Sequence, residues 1–137
     1  MEIKYKIYPE KKLLVEVISG TITLKNLKKL FKTVSSDKQF MDFDKVLTNV
    51  SQAKFKISIF EVDEYLKFVK SIVKDREVKW GIITSKPRAT ALSMLITIDP
   101  TFKKKTKIFS TLNACTNFLN VSIEEIDFLE TDFKTVD

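Results

Sequence analysis

Ser58-Ile59-Phe60-Glu61 sets a hydroxyl three residues ahead of a carboxylate, at the head of an apolar helical run. This is the spacing of a capping box: the serine oxygen accepts a backbone N–H from the third helical residue, and the glutamate reaches back to the serine N–H. Such a cap contributes about 1 kcal/mol. A phosphate dianion at the same hydroxyl would be favoured by the helix dipole while breaking the cap. Ser58 is therefore read first as structural and second as a candidate switch. Ser51, Thr84, Ser85, Arg88 and Thr90 form a second set. They are expected near the carboxyl ends of two parallel strands, the edge at which open α/β sheets bind ligands. Hydroxyls with one guanidinium can hold a phosphate or a carboxylate, but ordinary turn and cap chemistry is the default reading. No general base stands beside them, so they do not spell a hydrolase.

Lys25, Lys28, Lys29 and Lys32 fall at i, i+3, i+4 and i+7, with no acid between Thr21 and Ser36. Like charges on one helix face cost a few tenths of a kcal/mol per pair, so the stripe is a candidate basic surface as well as a solvated face. Nucleic-acid or anionic-membrane binding is the less favoured use. Such sites mix in arginine and exposed aromatics, and Arg76 and Arg88 are the only arginines. Residues 120–137 carry one lysine against six acids, a net −5, which leaves +11 on residues 1–119. An acidic tail on a basic body is expected to dock on it or to solubilise it.

The composition removes whole classes of chemistry. The 137 residues include no histidine, one cysteine (Cys115) and two glycines (Gly20 and Gly81). Histidine triads, His or Cys zinc sites and iron–sulfur clusters cannot be assembled. Neither glycine-rich nucleotide motif can be written, and no cofactor or metal is expected. Cys115 has no basic neighbour in sequence to lower its pKa and reads as a structural thiol. An intrachain disulfide is impossible. The alternating start Met-Glu-Ile-Lys-Tyr lacks the apolar run of a signal peptide. The uncharged, largely apolar stretch Ala89 to Ile98 is ten residues, half of what spans a bilayer. A soluble cytoplasmic protein without a transmembrane segment is expected.

The elements that must position these residues follow from periodicity. Ile3, Tyr5 and Ile7 alternate with Lys4, Lys6 and Tyr8, the period of a half-buried strand. Pro9 to Lys12 is a turn and Leu13 to Ile18 a second strand, giving a hairpin that Gly20 ends. Leu24, Leu27, Leu30, Phe31 and Val34 mark a helix opposite the lysine stripe. Lys45 to Val50 is a strand, Ser51 to Ile57 a connection, and the Ser58 helix runs to about Lys74. Val78 to Thr84 is a strand whose Gly81 marks a close approach by another element. A helix from about Arg88 to Ile98, a strand at Lys105–Phe109 and a helix at Thr111–Leu119 follow. Ser122-Ile123-Glu124-Glu125 spells a second capping box, opening a final acidic helix. The fold class is mixed α/β: an N-terminal hairpin, then αβαβαβα, in a mixed sheet of about five strands with packed helices. One domain over 1–120 with an acidic helical tail over 121–137 is expected. The Arg88–Ile98 helix is apolar nearly all round, so Leu92, Met94, Leu95 and Ile98 are candidates for an interface, a homodimer being the first occupant considered.

This layout resembles the STAS-like group, the SpoIIAA-like domains. The resemblance is carried by the helix opening at Thr21–Leu24, by Asp37-Lys38-Gln39-Phe40 to Asp44-Lys45-Val46-Leu47, by Val78-Lys79-Trp80-Gly81-Ile82-Ile83-Thr84, and by Pro87-Arg88-Ala89-Thr90-Ala91. It implies a non-enzymatic interaction module that binds a protein partner, with a phosphorylatable hydroxyl on the helix after the central strand. Lys56-Ile57-Ser58-Ile59-Phe60 stands at that place without the group's aspartate and glycine, and Asn49 stands where an aspartate is expected. The group's likeness in fold to CRAL-TRIO lipid carriers leaves a small apolar or amphiphilic ligand as the alternative, in a pocket between the apolar helix and the sheet.

Overall fold

A computed structural model describes residues 1–122 and 132–137. The chain opens with β1 (Glu2–Tyr8), a 3-10 turn at Pro9–Lys11 and β2 (Leu13–Ile22). It continues through α1 (Leu24–Ser35), β3 (Lys45–Phe55), α2 (Ile59–Val73), β4 (Lys79–Ile83), α3 (Pro87–Thr97), β5 (Thr106–Phe109) and α4 (Leu112–Leu119), and ends with β6 (Lys134–Thr135). The sheet order is β5-β4-β3-β2-β1-β6. Only the outer pairs β1/β2 and β1/β6 are antiparallel; β2 to β5 run parallel.

Alternation along the strands sorts two cores. Ile3, Tyr5 and Ile7 of β1, Leu14 and Ile18 of β2, Val46 and Val50 of β3 and Ile82 of β4 face one side, with Leu30 and Val34 of α1 and Ala89 of α3. Val62 and Leu66 of α2 extend this layer with Ile57 and the half-buried Leu92, Leu95 and Ile96 of α3. The opposite face collects Tyr8, Leu13, Val15, Leu47 and Ile83 under Cys115 and Leu119 of α4. Among the described residues, three helices thus cover one face and one helix the other. No helix among the described residues is long and apolar enough to cross a membrane.

The expected layout holds, with three corrections. The sheet has six strands rather than five, because Lys134–Thr135 pairs with Lys4 and Tyr5 and Val136 N–H donates to the Ile3 carbonyl at 2.8 Å. Two residues carry too little pattern to announce a strand. Gly20 does not end β2; it sits within it at φ +82°, and pairing with β3 continues to Ile22. β3 does not stop at Val50 but runs to Phe55, through a register shift against Val17–Ser19. The extra residue flips the strand's alternation, so that Val50 and Ala53, an odd interval apart, face the same core; a bulge does this to any period-2 reading. Asn49 Oδ1 secures the bulge by accepting from Ser51 N–H at 3.0 Å and from Ser51 Oγ at 2.7 Å. The final acidic helix expected from Ser122-Ile123-Glu124-Glu125 lies outside the described residues.

Candidate functional site

At the carboxyl end of β3 the chain turns into α2 at Ser58. Ser58 Oγ accepts from Glu61 N–H at 3.2 Å and Glu61 Oε1 accepts from Ser58 N–H at 3.0 Å, the reciprocal capping box read from sequence. The hydroxyl remains at an exposed residue. Arg88, in the first turn of α3, braces this turn from behind: its Nε donates to the Phe55 carbonyl at 3.1 Å and its Nη2 to the Ile57 carbonyl at 2.6 Å. The two residues after Ser58 point outward. Phe60 is 87% exposed and Ile59 66%, although both are large and apolar.

The other predicted polar residues do converge on this edge of the sheet. Thr84 and Thr90 share a 2.7 Å hydrogen bond, and Thr90 Oγ1 donates to the Lys86 carbonyl at 3.0 Å. Ser85 Oγ donates to the Ser51 carbonyl at 2.7 Å. The hydroxyls are thus engaged with one another and with backbone, and the guanidinium with two carbonyls. Of the apolar candidates on α3, Leu92 and Leu95 pack inward against the α2 core, whereas Met94 and Ile98 are exposed.

The lysine stripe borders the same region. Lys25, Lys28, Lys29 and Lys32 line a shallow groove with Leu24 and Glu61, between the α1 stripe and the first turn of α2. Lys28 is taken up by Glu64 of α2, while Lys25, Lys29 and Lys32 face solvent. Cys115, on the face of α4 turned to the sheet, is wholly buried, and burial pushes its thiol up to about 12, which leaves it unreactive at neutral pH.

A polar centre that the sequence reading did not single out lies inside the main core. Glu16 projects from the middle of β2 into the face covered by the helices and is 6% exposed. Its Oε1 accepts from Thr48 Oγ1 at 2.7 Å, and Thr48 in turn accepts from Trp80 Nε1 at 2.9 Å. Burial pushes the Glu16 carboxyl up to about 7 against the lowering effect of the Thr48 hydrogen bond. Burial, with the nearby Glu16 charge, also raises the Tyr65 hydroxyl. Glu16, Tyr65 and Trp80 line a cavity of about 410 Å³ that extends past Phe31, Phe40, Phe43 and Phe102 to Arg76 and Lys105. The loops at its mouth precede β3, β4 and β5, so it opens at the amino ends of the parallel strands, opposite Ser58. The available signal was Glu16 itself, a lone charge at an inward position between Leu14 and Ile18.

Known proteins place this architecture. The Shewanella loihica protein of the DUF3478 family with a SpoIIAA-like fold is 13% identical, with a TM-score of 0.60 over 87% of this chain and 95% of that one. The phosphorylated Bacillus cell-fate determinant SpoIIAA is 8% identical, with a TM-score of 0.52 over 84% of this chain and 97% of that one. The unphosphorylated form of the anti-sigma factor antagonist SpoIIAA gives 7% identity and a TM-score of 0.50 over 82% and 91%. The fold is SpoIIAA-like. No family model and no curated protein matches the sequence. In this SpoIIAA-like chain Ser58 lies at the head of the helix that follows β3, the place the resemblance assigned to it. The mixed α/β fold agrees with the resemblance.

Proposed function

We propose that this chain is a non-enzymatic cytoplasmic module that binds a protein partner through the Ser58 turn. The observation that carries the reading is the exposure of Phe60, 87% accessible beside Ile59 on the first turn of α2. A folded domain gains nothing by holding an aromatic ring and a β-branched side chain together in water, and such patches mark interaction surfaces. The neighbouring groove of Lys25, Lys29 and Lys32 sets the chemistry of the other side. The complementary partner surface is an apolar pocket with an acidic rim, the charges steering encounter and the ring supplying affinity. The solved structures similar to this chain include an anti-sigma factor antagonist seen in phosphorylated and unphosphorylated forms, which supports reading Ser58 as the switch of this surface. A phosphate at Ser58 would displace Glu61 from the cap and place a dianion between the exposed ring and the lysines.

The test is capture of a partner from nuclease-treated native lysate, followed by affinity measurement on the purified pair. Phe60→Asp is expected to weaken binding at least tenfold while leaving the melting temperature within about 2 °C, since exposed positions are worth within about 0.5 kcal/mol. Ser58→Ala should lower stability by about 1 kcal/mol through the lost cap. Ser58→Asp keeps a competent cap and should change partner affinity alone. Equal capture by wild type and Phe60→Asp would overturn the docking surface.

A further inference from the structure

The inner end of the cavity, remote from the Ser58 surface, presents a carboxylate that is only half engaged. Glu16 is 6% exposed. Its Oε1 accepts from Thr48, while Oε2 takes no hydrogen bond among the described residues. The Tyr65 hydroxyl near it neither donates nor accepts one there. Neither atom is sealed in the packing. The unpartnered side-chain atoms shut off from free space are Arg76 Nη1 and Thr106 Oγ1. The free Glu16 oxygen and the Tyr65 hydroxyl therefore open onto the cavity that both residues line, whose volume of about 410 Å³ lies in the range of small-molecule sites, about 300–1,000 Å³. No cation answers this carboxylate. Among the described residues the one influence that lowers it is the Thr48 hydrogen bond. Arg76 and Lys105 stand at the mouth, where Asp44, Asp75 and Glu77 offset them. The rings of Phe31, Tyr65, Trp80 and Phe102 share the wall with Glu16, Phe102 standing edge-on to Trp80 with 6.0 Å between centroids. Aromatic faces attract cations, and this cavity already shows it once, with Arg76 lying 4.6 Å from the centroids of Phe40 and Phe43.

We propose that this cavity binds a small quaternary ammonium compound, its methylated cationic head against Glu16 Oε2 and the rings, its polar end toward the mouth. The supply of acceptors decides for a methylated head. A primary ammonium brings three N–H donors and would meet two acceptors, Glu16 Oε2 and the Tyr65 hydroxyl. A trimethylated head brings none, and its charge is met by the carboxylate and the ring faces. Charge is what selects this ligand. An uncharged molecule of the same shape fills the same space and leaves the Glu16 carboxylate without a counter-ion.

The probes are choline, its unmethylated relative ethanolamine, and the uncharged isostere of choline in which a tert-butyl group replaces the trimethylammonium. Each is titrated into the full chain at pH 8 and matched ionic strength. Trp80, the single tryptophan, is the fluorescent reporter, with calorimetry alongside. The expected result is saturable choline binding, with ethanolamine and the isostere each at least tenfold weaker. Glu16→Gln keeps the shape of the side chain and removes its charge. It should weaken choline at least tenfold and leave the isostere unchanged, while thermal unfolding shows a folded protein. Protonation of Glu16 opposes the cation, so wild-type affinity should fall about tenfold from pH 8 to pH 6, and that of Glu16→Gln should stay level. The titratable groups facing Glu16 are Tyr5, opposite it on β1, and Tyr65 on α2. Burial, joined at Tyr5 by Asp37, raises both hydroxyls and keeps them neutral here. The mouth charges of Lys74, Asp75, Arg76, Glu77 and Lys105 are common to both proteins. No saturable choline response up to about 10 mM would overturn the site. Equal affinity for choline and its isostere, or choline affinity unchanged in Glu16→Gln, would overturn the cation assignment. Ethanolamine binding as tightly as choline would overturn the methylated head.

Discussion

Gly81→Ala is expected to lose roughly 3 kcal/mol of stability, the upper end of what overpacking one methyl costs. For a domain of this size that is a drop on the order of 10 °C in melting temperature. Gly81 lies in the centre of β4, between Leu47 on β3 and Lys107 on β5, and faces α4. A methyl built there would fall on Cys115 Sγ, far inside any real carbon–sulfur contact, with Leu119 Cδ1 at 3.6 Å beside it. Neither neighbour has room to move: Cys115 and Leu119 are both fully buried, and Cys115 is fixed by its place in the second turn of α4. The helix must lift off the sheet. The same geometry predicts its own rescue. Cys115→Ala alone should cost about 1–2 kcal/mol for the small void it opens. The double variant, in which the new methyl occupies the space of the missing sulfur, should recover at least half of the Gly81→Ala loss. Chemical denaturation of all four proteins gives the coupling energy. A strictly additive cycle would mean that the α4 approach is not what requires glycine here.

The second large effect is a pH dependence traced to Glu16. Its folded-state pKa is raised to about 7 by burial, against about 4.3 for an unstructured glutamate. The folded state therefore holds a proton that the unfolded chain has already released. Stability falls as pH rises through this interval, by about 1.4 kcal/mol per unit, and levels off once both states are ionised. The loss accumulated between pH 4.5 and 7 is about 3 kcal/mol. Glu16→Gln keeps an acceptor for Thr48 and cannot ionise. The difference between variant and wild type should be near zero at pH 4 and grow to about 3 kcal/mol in favour of the variant by pH 8. Charges elsewhere cancel in this comparison. Those nearest Glu16 are neutral at these pH values: Tyr5 opposite it on β1, Thr48 on β3 and Tyr65 on α2. The charged rim of Lys74, Asp75, Arg76, Glu77 and Lys105 is common to both proteins. Asp37 and Asp99 act only at lower pH: burial, the largest single influence, raises each carboxyl, but hydrogen bonds from Lys134, Gln39 and Tyr5 to the first and from Lys70 and Thr101 to the second, with the lysine charges, together hold both below the ordinary value. A flat difference curve from pH 4 to 8 would show that Glu16 is solvated in the native state.

The parts of this molecule that were legible in advance are those encoded within a few residues. The α2 cap is a four-residue pattern, so Ser58 and Glu61 could be placed by reading. The closeness of α4 to β4 was announced by a glycine in a strand that had no turn to make. β3 was cut short because a bulge shifts its phase by one residue, and period-2 reading has no memory across such a shift. β6 escaped because its two residues acquire a partner only through β1, more than a hundred positions away. The cavity was hidden for a related reason. Glu16, Thr48, Tyr65, Arg76 and Trp80 come from five separate segments, and each is unremarked alone except Glu16, a carboxylate between apolar neighbours. Its position was visible; that burial leaves it half-protonated near neutrality required the helices above it.

The short strand β6 also limits how the protein can meet others. Edge strands invite a foreign chain to extend the sheet by backbone pairing. Here one margin is interrupted where Lys134–Thr135 sits against the middle of β1, and Lys134 is pinned by Asp37, 2.6 Å away. The opposite margin, β5, is four residues long, with Lys107 exposed within it and Lys103, Lys104 and Lys105 just before it. Neither margin offers a long uncharged template. Whatever this domain recognises, it must read through side chains, and the same feature keeps concentrated copies from zipping together into ribbons.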